Sequence, residues 1–296
     1  MAELLQRVGS VLISLGGNDH EILFVDDGSS DGTSEEIIRL AGAPQWGMIR
    51  IIQLSRNFGQ QSALTAALDF AIGDAAFILD GDLQDRPEEL PRFLELLNLG
   101  FDVVYGVRKE RKEIWLKRWC YHLFYRILNI FSDFSLPLDS GDYALISRRV
   151  IKEIGEAPER NRFFRGLRAW VGFRQAPLEV VRDSRFAGKT KYSISKLCKL
   201  AADGIISFSI SPLRISTFVG LITVLSGAVF GIYAAYVRIV LEQAPKGFTA
   251  LTFLLIIFSG IQLISLGLIG EYIGRIYQEV KHRKNYVVAT HWASIK

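Results

Sequence analysis

The sequence predicts an α/β domain with a mostly parallel sheet, followed by an interfacial helix and a two-helix transmembrane hairpin. Short apolar runs alternate with amphipathic helical stretches over the first hundred residues, the pattern of successive βα units. Each apolar run ends in a polar motif. Two long apolar stretches follow, from about Ile215 to Val237 and from about Phe248 to Ile269, each near the roughly 20 residues a helix needs to cross hydrocarbon.

Residues 3–15 have Leu4, Leu5, Val8, Leu12 and Ile13 at helical spacing. A strand is expected from Glu21 to Val25, then Asp26-Asp27-Gly28-Ser29-Ser30-Asp31-Gly32-Thr33, which supplies turn residues and a helix cap. A helix to about Leu40, a strand from Ile49 to Leu54 and the loop Ser55-Arg56-Asn57-Phe58-Gly59 come next. A helix over Gln60 to Ala71 leads to the strand 75–80 and to Asp80-Gly81-Asp82-Leu83-Gln84-Asp85. Pro87 opens another helix, and Asp102 to Tyr105 reads as a strand.

Residues 113–131 read as a strongly apolar helix, and 192–210 as an interfacial one with Ile194, Leu197, Leu200, Ile205 and Phe208 on one side. The boundaries that follow are a catalytic domain over 1–186, an interfacial segment over 187–212, the hairpin over 213–274 and a tail over 275–296. Lysines and arginines flank both outer ends of the hairpin, so the positive-inside rule places both in the cytoplasm. Gly227/Gly231 and Gly270/Gly274 have small-xxx-small spacing; packing within the hairpin is the plainer expectation, homo-oligomer contacts the sharper one.

A mean hydropathy of +0.22 and 49% hydrophobic residues are high for a wholly soluble enzyme. Zinc-finger spacing, RNA-binding aromatic signatures and heptad-linked basic regions are absent, which disfavours nucleic acid as a partner. Cys120 and Cys198 lack metal spacing and read as reduced packing residues. No basic, apolar and cleavage-site leader opens the sequence, consistent with a soluble part in the cytoplasm. Dinucleotide and P-loop fingerprints are missing as well.

In sheets of this kind, ligands bind beyond the carboxyl ends of strands, where Asp26-Asp27, Ser55-Arg56-Asn57 and Asp80-Gly81-Asp82 all fall. Two acids at i and i+2 point the same way at a strand end, and hard oxygen ligands suit Mg²⁺ or Mn²⁺ bridging to substrate phosphates. The competing reading is a solvated acidic turn. Asp26 could equally be a strand-end cap, and Arg56 and Asn57 could simply close a turn.

Taken in order, the motifs resemble the bacterial polyprenyl-phosphate glycosyltransferases, a branch of glycosyltransferase family 2 related to dolichol-phosphate mannose synthase. The pieces are Val25-Asp26-Asp27-Gly28-Ser29, Leu54-Ser55-Arg56-Asn57-Phe58-Gly59, Asp80-Gly81-Asp82-Leu83-Gln84-Asp85, Ser140-Gly141-Asp142-Tyr143 and Pro158-Glu159-Arg160-Asn161-Arg162-Phe163. They continue with Trp170-Val171-Gly172-Phe173-Arg174, Gly188-Lys189-Thr190-Lys191-Tyr192 and the apolar run Ile264 to Tyr272.

The resemblance implies a GT-A fold and transfer of one sugar from a UDP- or GDP-linked donor to a membrane polyprenyl phosphate, with inversion. It implies a bacterial inner-membrane protein with a cytoplasmic catalytic domain. Asp27 would contact the nucleotide, Asp80, Asp82 and Gln84 would hold the divalent metal and diphosphate, and Asp142 would be the catalytic base. An anionic acceptor then needs counter-charge, for which Arg162, Arg165, Arg185, Lys189 and Lys191 are the candidates; Arg108 is a weaker one.

Two departures stand out. Similar chains begin with another apolar strand and a Pro-x-Tyr-Asn-Glu-like loop, whereas this sequence starts inside the helix that normally follows. A common Asp-Phe-Arg-Leu pattern appears here as Asp142-Tyr143-Ala144-Leu145, and Ala144 cannot supply that arginine's charge. Competing classes are a processive polysaccharide synthase, for which a Gln-x-x-Arg-Trp motif and further spans are absent, and a degenerate, non-catalytic membrane scaffold of the same fold. A channel or transporter is disfavoured by two spans without buried charge.

Overall fold

The computed structural model describes residues 1–16, 19–41, 47–108, 140–157, 159, 162–181, 211–240 and 247–294. Two compact units divide the chain: Met1–Ala201 together with Arg283–Lys296, and Ala202–His282. Cys120, Cys198 and the helices expected over 113–131 and 192–210 lie outside the described residues.

In the first unit, strand β1 (Glu21–Asp26) pairs in parallel with β2 (Met48–Leu54), with helix α2 (Thr33–Ala41) as the crossover. On its other side β2 pairs antiparallel with β7 (Val288–Ala293), Ile51 facing Trp292 and Ile52 facing His291. The last residues are therefore a strand of this sheet, where the sequence suggests only a tail. Its Trp292 joins Leu5, Ile22, Ala41 and Ile49 in one apolar cluster, and Val288 joins Ile52, Leu54 and Ala66 in another. Those contacts favour the strand more than its own mixed composition does.

The second sheet has the order β3-β5-β4-β6, formed by Ala75–Ile78, Ser140–Ser147, Val103–Arg108 and Gln175–Val180. Strand β4 runs parallel to β6, but β5 runs antiparallel to both β3 and β4. The sheet is thus mixed rather than mostly parallel. Strand β5 opens with Ser140, Gly141 and Asp142, turn-forming residues that read as a loop motif. Yet Tyr143, Ala144, Leu145 and Ile146 are all buried between two neighbours, and burial overrides local propensity.

Helices cover these sheets. Helix α1 (Ala2–Ser14) buries Leu4, Leu5 and Val11, and its Arg7 pairs with Glu88 at 2.7 Å. Helix α3 (Gln60–Phe70) packs on β1 and β2 and, through Leu68, on the core of the second sheet. Pro87–Glu89 forms a 3₁₀ turn before α4 (Leu90–Asn98), because Pro91 is tolerated only in a helix's first turn. Phe93 of α4 is fully buried against Phe77 and Tyr143, with ring centroids 5.1 and 5.0 Å away. Helices α5 (Arg148–Glu156) and α6 (Phe164–Trp170) complete the described part of this unit, with Val150, Ile151, Ile154, Phe164 and Leu167 facing one core.

The second unit contains α7 (Ser211–Ile239) and α8 (Phe248–Val280), apolar helices long enough to cross a membrane. The Ser216 hydroxyl donates to Ser265 Oγ at 2.6 Å, and the Ser265 hydroxyl donates to the Ile261 carbonyl, so neither is left unpaired among apolar residues. Among the described residues, the hairpin does not pack at the glycine pairs: a Cβ at Gly227, Gly231, Gly270 or Gly274 would meet nothing within 4 Å.

Phe93→Ala should cost about 3–5 kcal/mol by emptying the ring cluster. A fall in the thermal midpoint of the purified chain checks this; an unchanged midpoint would show that Phe77 and Tyr143 collapse into the space.

Candidate active site

The ends of β1, β2 and β3, strand β5 and the helices α3 and α6 build the site. At the end of β1, Asp26 is buried, with Oδ1 accepting the Ser29 backbone N–H at 2.9 Å and Oδ2 accepting the Ser34 hydroxyl. Burial alone raises its pKa, but the hydrogen bonds from Ser29, Ser34 and Gln53 outweigh that and hold the carboxyl below the ordinary range. Asp26 therefore organises the turn into α2, as the cap reading expects.

Asp27 accepts two backbone N–H groups, from Phe58 to Oδ1 at 2.7 Å and from Gly59 to Oδ2 at 2.8 Å. These donors stand at the start of α3, where unpaired N–H groups and the helix dipole favour an acid. Between the two strand ends the backbones nearly touch: Gly28 has φ +70°, and a Cβ there would lie 2.5 Å from the carbonyl carbon of Arg56. Only glycine fits both the space and the dihedral. Arg56 and Asn57 are exposed on this loop, the Arg56 guanidinium 4.0 Å from the Phe58 ring centroid and donating to the Asn57 carbonyl.

Asp80, beyond β3, accepts from the Gln60 side chain at 3.0 Å. Asp82 accepts the backbone N–H of Gln84 at 3.1 Å, closing a tight turn in which Leu83 adopts φ +59°. A leucine in the left-handed region costs about 1–2 kcal/mol, so surrounding contacts enforce this turn. Asp80, Asp82 and Gln84 are each half-buried there. Among the described residues no three His, Cys, Asp or Glu side chains cluster as a metal cage. Two hard carboxylates in one turn nonetheless fit a cation whose remaining positions are filled by substrate phosphates and water, the usual Mg²⁺ arrangement.

Asp142 projects from β5 and is 8% exposed. Arg165 of α6 donates from Nε to Asp142 Oδ1 at 2.8 Å and from Nη2 to Oδ2 at 3.4 Å. Arg168, one helical turn on, is fully buried, and its Nη1 donates to the Gly141 carbonyl at 3.2 Å. Its guanidinium lies 4.9 Å from the centroid of Tyr105 and 5.8 Å from that of Phe164. Burial lowers its pKa to about 10, opposed by the nearby Asp142 charge. Tyr105 is the cross-strand partner of Ala144, so a cation flanks the position where the common pattern would place an arginine.

Arg162 lies elsewhere in role: its guanidinium donates to the carbonyls of Gly155, Ala157 and Glu159, closing the end of α5. Arg185, Lys189 and Lys191 lie outside the described residues. Sequence reasoning misses Gln60, Gln61 and Arg168. Gln61 Oε1 accepts the Phe164 N–H at 2.8 Å, tying α3 to the first turn of α6. The available signals were weak: a Gln pair directly after Gly59, and an arginine three residues after Arg165, hence on the same helix face.

Comparison with known proteins places these motifs. Residues 2–155 match the family described as glycosyl transferase family 2, and residues 211–276 match the GtrB C-terminal hairpin. The chain is 42% identical over 287 residues to the uncharacterized glycosyltransferase YkcC of Bacillus subtilis (strain 168), covering 97% of this chain and 88% of that protein. It is 39% identical over 269 residues to the prophage bactoprenol glucosyl transferase homolog of Escherichia coli (strain K12), covering 90% of this chain and 87% of that one. The bactoprenol glucosyl transferase of Shigella phage SfV matches at 39% over the same length, with 90% and 87% covered.

Asp26 gives a pH prediction. Its folded-state pKa is depressed below the unfolded value of about 3.9, so its stabilisation is complete above about pH 4 and is lost as pH falls through the folded-state value. Asp26→Asn should lower the thermal midpoint at pH 7 and flatten its decline under acid. Parallel wild-type and variant curves between pH 6 and about 3 would contradict this.

Proposed function

The chain belongs to glycosyltransferase family 2, and we propose that it transfers one sugar from a nucleotide-sugar donor to the phosphate of a membrane polyprenyl lipid, inverting the anomeric carbon. The observation that carries this reading is joint coverage. Relatives named for bactoprenol glucosyl transfer align over about nine-tenths of the chain, and the two family matches take in the strand-end acids and the hairpin. The chain is an enzyme of the transferase class, and glucose is the first donor sugar to test.

Roles follow from position and charge. The β1 and β2 ends, with Asp26, Asp27, Arg56 and Asn57, form the donor side. Asp27 serves it by locking the Arg56–Gly59 loop through two backbone bonds. Asp80, Asp82 and Gln84 would hold Mg²⁺ or Mn²⁺, which when bound supplies Lewis-acid stabilisation of charge on the diphosphate leaving group. The acceptor is a phosphate monoester whose second pKa is about 6, so its attacking oxygen is largely anionic at neutral pH. Asp142 then has little proton to remove; its work is to orient the acceptor and take any residual proton. Arg165 supplies counter-charge beside it, and Arg185, Lys189 and Lys191 are assigned to the same lipid phosphate. Arg162 keeps its described bonds to α5 and contributes by holding that loop.

The hairpin anchors the catalytic unit at the lipid, on the cytoplasmic face of a bacterial inner membrane by the flanking basic residues.

Purified chain in lipid nanodiscs, given undecaprenyl phosphate, Mg²⁺ or Mn²⁺ and a panel of labelled nucleotide sugars, should move label into organic-extractable lipid. EDTA should abolish the transfer. Asp142→Asn should cut turnover about 100-fold or more while nucleotide binding persists. Absence of transfer from every donor would favour the non-catalytic scaffold, and an undiminished Asp142→Asn variant would remove the base assignment.

A further inference from the structure

Buried guanidinium groups are ordinarily paired through most of their donors. Arg168 is not: it is fully buried, one donor reaches the Gly141 carbonyl, and Nε and Nη2 have no hydrogen-bond partner. Among the described residues it has no carboxylate in contact, although Asp142 is the residue next to the carbonyl it holds. Arg165 and Arg168 are three residues apart on α6 and both address the Gly141–Asp142 segment of β5. The outer cation is about one-third exposed and bonded to Asp142; the inner one is fully buried beside Tyr105 and Phe164. One acid thus stands before two cations, only one of which solvent can reach.

We propose that Arg168 is a positioning residue that weakens the hold of Asp142 on Arg165, so that Arg165 can turn to the phosphate of an incoming acceptor. The proposal rests on the acceptor being a phosphate, as argued above. Arg168 acts in two ways. By gripping the Gly141 carbonyl it fixes the backbone that carries Asp142, and its positive charge supports the carboxylate when Arg165 leaves. The inner cation cannot itself meet the lipid, because it is fully buried. Its effect on the acceptor must therefore pass through Arg165.

That dependence makes a specific pattern of kinetics. With undecaprenyl phosphate as acceptor and labelled UDP-glucose as donor, Arg168→Met should raise the acceptor KM at least 10-fold and leave the donor KM within 2-fold. Arg168→Lys should recover most of the loss. Arg165→Met should raise the acceptor KM likewise, and adding Arg168→Met to it should bring little further change, since both act through one group. Equal shifts in donor and acceptor KM, additive effects of the two substitutions, or no recovery by lysine would overturn the proposal. Thermal-shift titration of the same proteins with farnesyl phosphate reads the arginines without turnover. Wild type should be stabilised, and Arg165→Met and Arg168→Met should not. An active wild type with an unaffected Arg168→Met sinks the inference alone. A wild type that neither turns over nor responds to farnesyl phosphate sinks the functional reading, and with it the inference.

Discussion

The entry to α3 is the constraint on which the rest of the site depends. The two N–H donors just ahead of the helix, Phe58 and Gly59, are taken by Asp27 at the end of β1. The next two residues reach outward in other directions: Gln60 to Asp80 beyond β3, and Gln61 to the first turn of α6. Four short polar links therefore tie the ends of β1 and β3 to the start of α3, and α3 to the helix that presents Arg165. The sheets themselves share no strand pairing among the described residues, so these links and the apolar body of α3 fix one set of acids against the other.

The acids of the site are held by donors of different kinds. Asp26 is held by hydroxyl and backbone donors, Asp27 by backbone alone, Asp80 by a carboxamide and Asp142 by a guanidinium. At Asp26 those donors hold the carboxyl in its ionised form against the effect of burial. The Asp142 partner is itself charged and partly exposed, so an arriving anion would compete for it. The acid and its counter-ion are thus poised differently from the donor-side acids, although all are aspartates.

Most elements with strong local patterning were legible. The strands ending at Asp26, Leu54 and Ile78 and helices α1 to α4 lie within a few residues of where periodicity and caps put them, and the two spans were evident from length and hydropathy. Strands β5 and β7 were not, because neither owes its form to its own residues. Strand β5 starts with turn formers and becomes a strand through its two neighbours; β7 mixes His and Thr with Val and Trp and depends on β2. At the site, acids announced themselves by clustering at strand ends. Their partners did not, since Gln61 and Arg168 differ from surface residues only in what the fold places beside them. Arg162 shows the converse: a cation in a suggestive motif can be spent on helix carbonyls.

Strand β7 also sets the order in which the molecule can be completed. The backbone N–H of Ile49 bonds to the Ser294 hydroxyl across 245 residues, and β2 pairs with β7 along most of its length. During synthesis that edge of β2 stays open until both apolar helices and the residues after them have been made. An open, apolar edge is a template for wrong pairing, and contacts this distant form slowly. The hairpin is therefore bracketed: the chain enters it from the catalytic unit at Ala201 and returns to that unit from Arg283. Closing the sheet requires the hairpin to have been traversed, so packing of Trp292 and Val288 on the core couples completion of the catalytic unit to completion of the membrane segment.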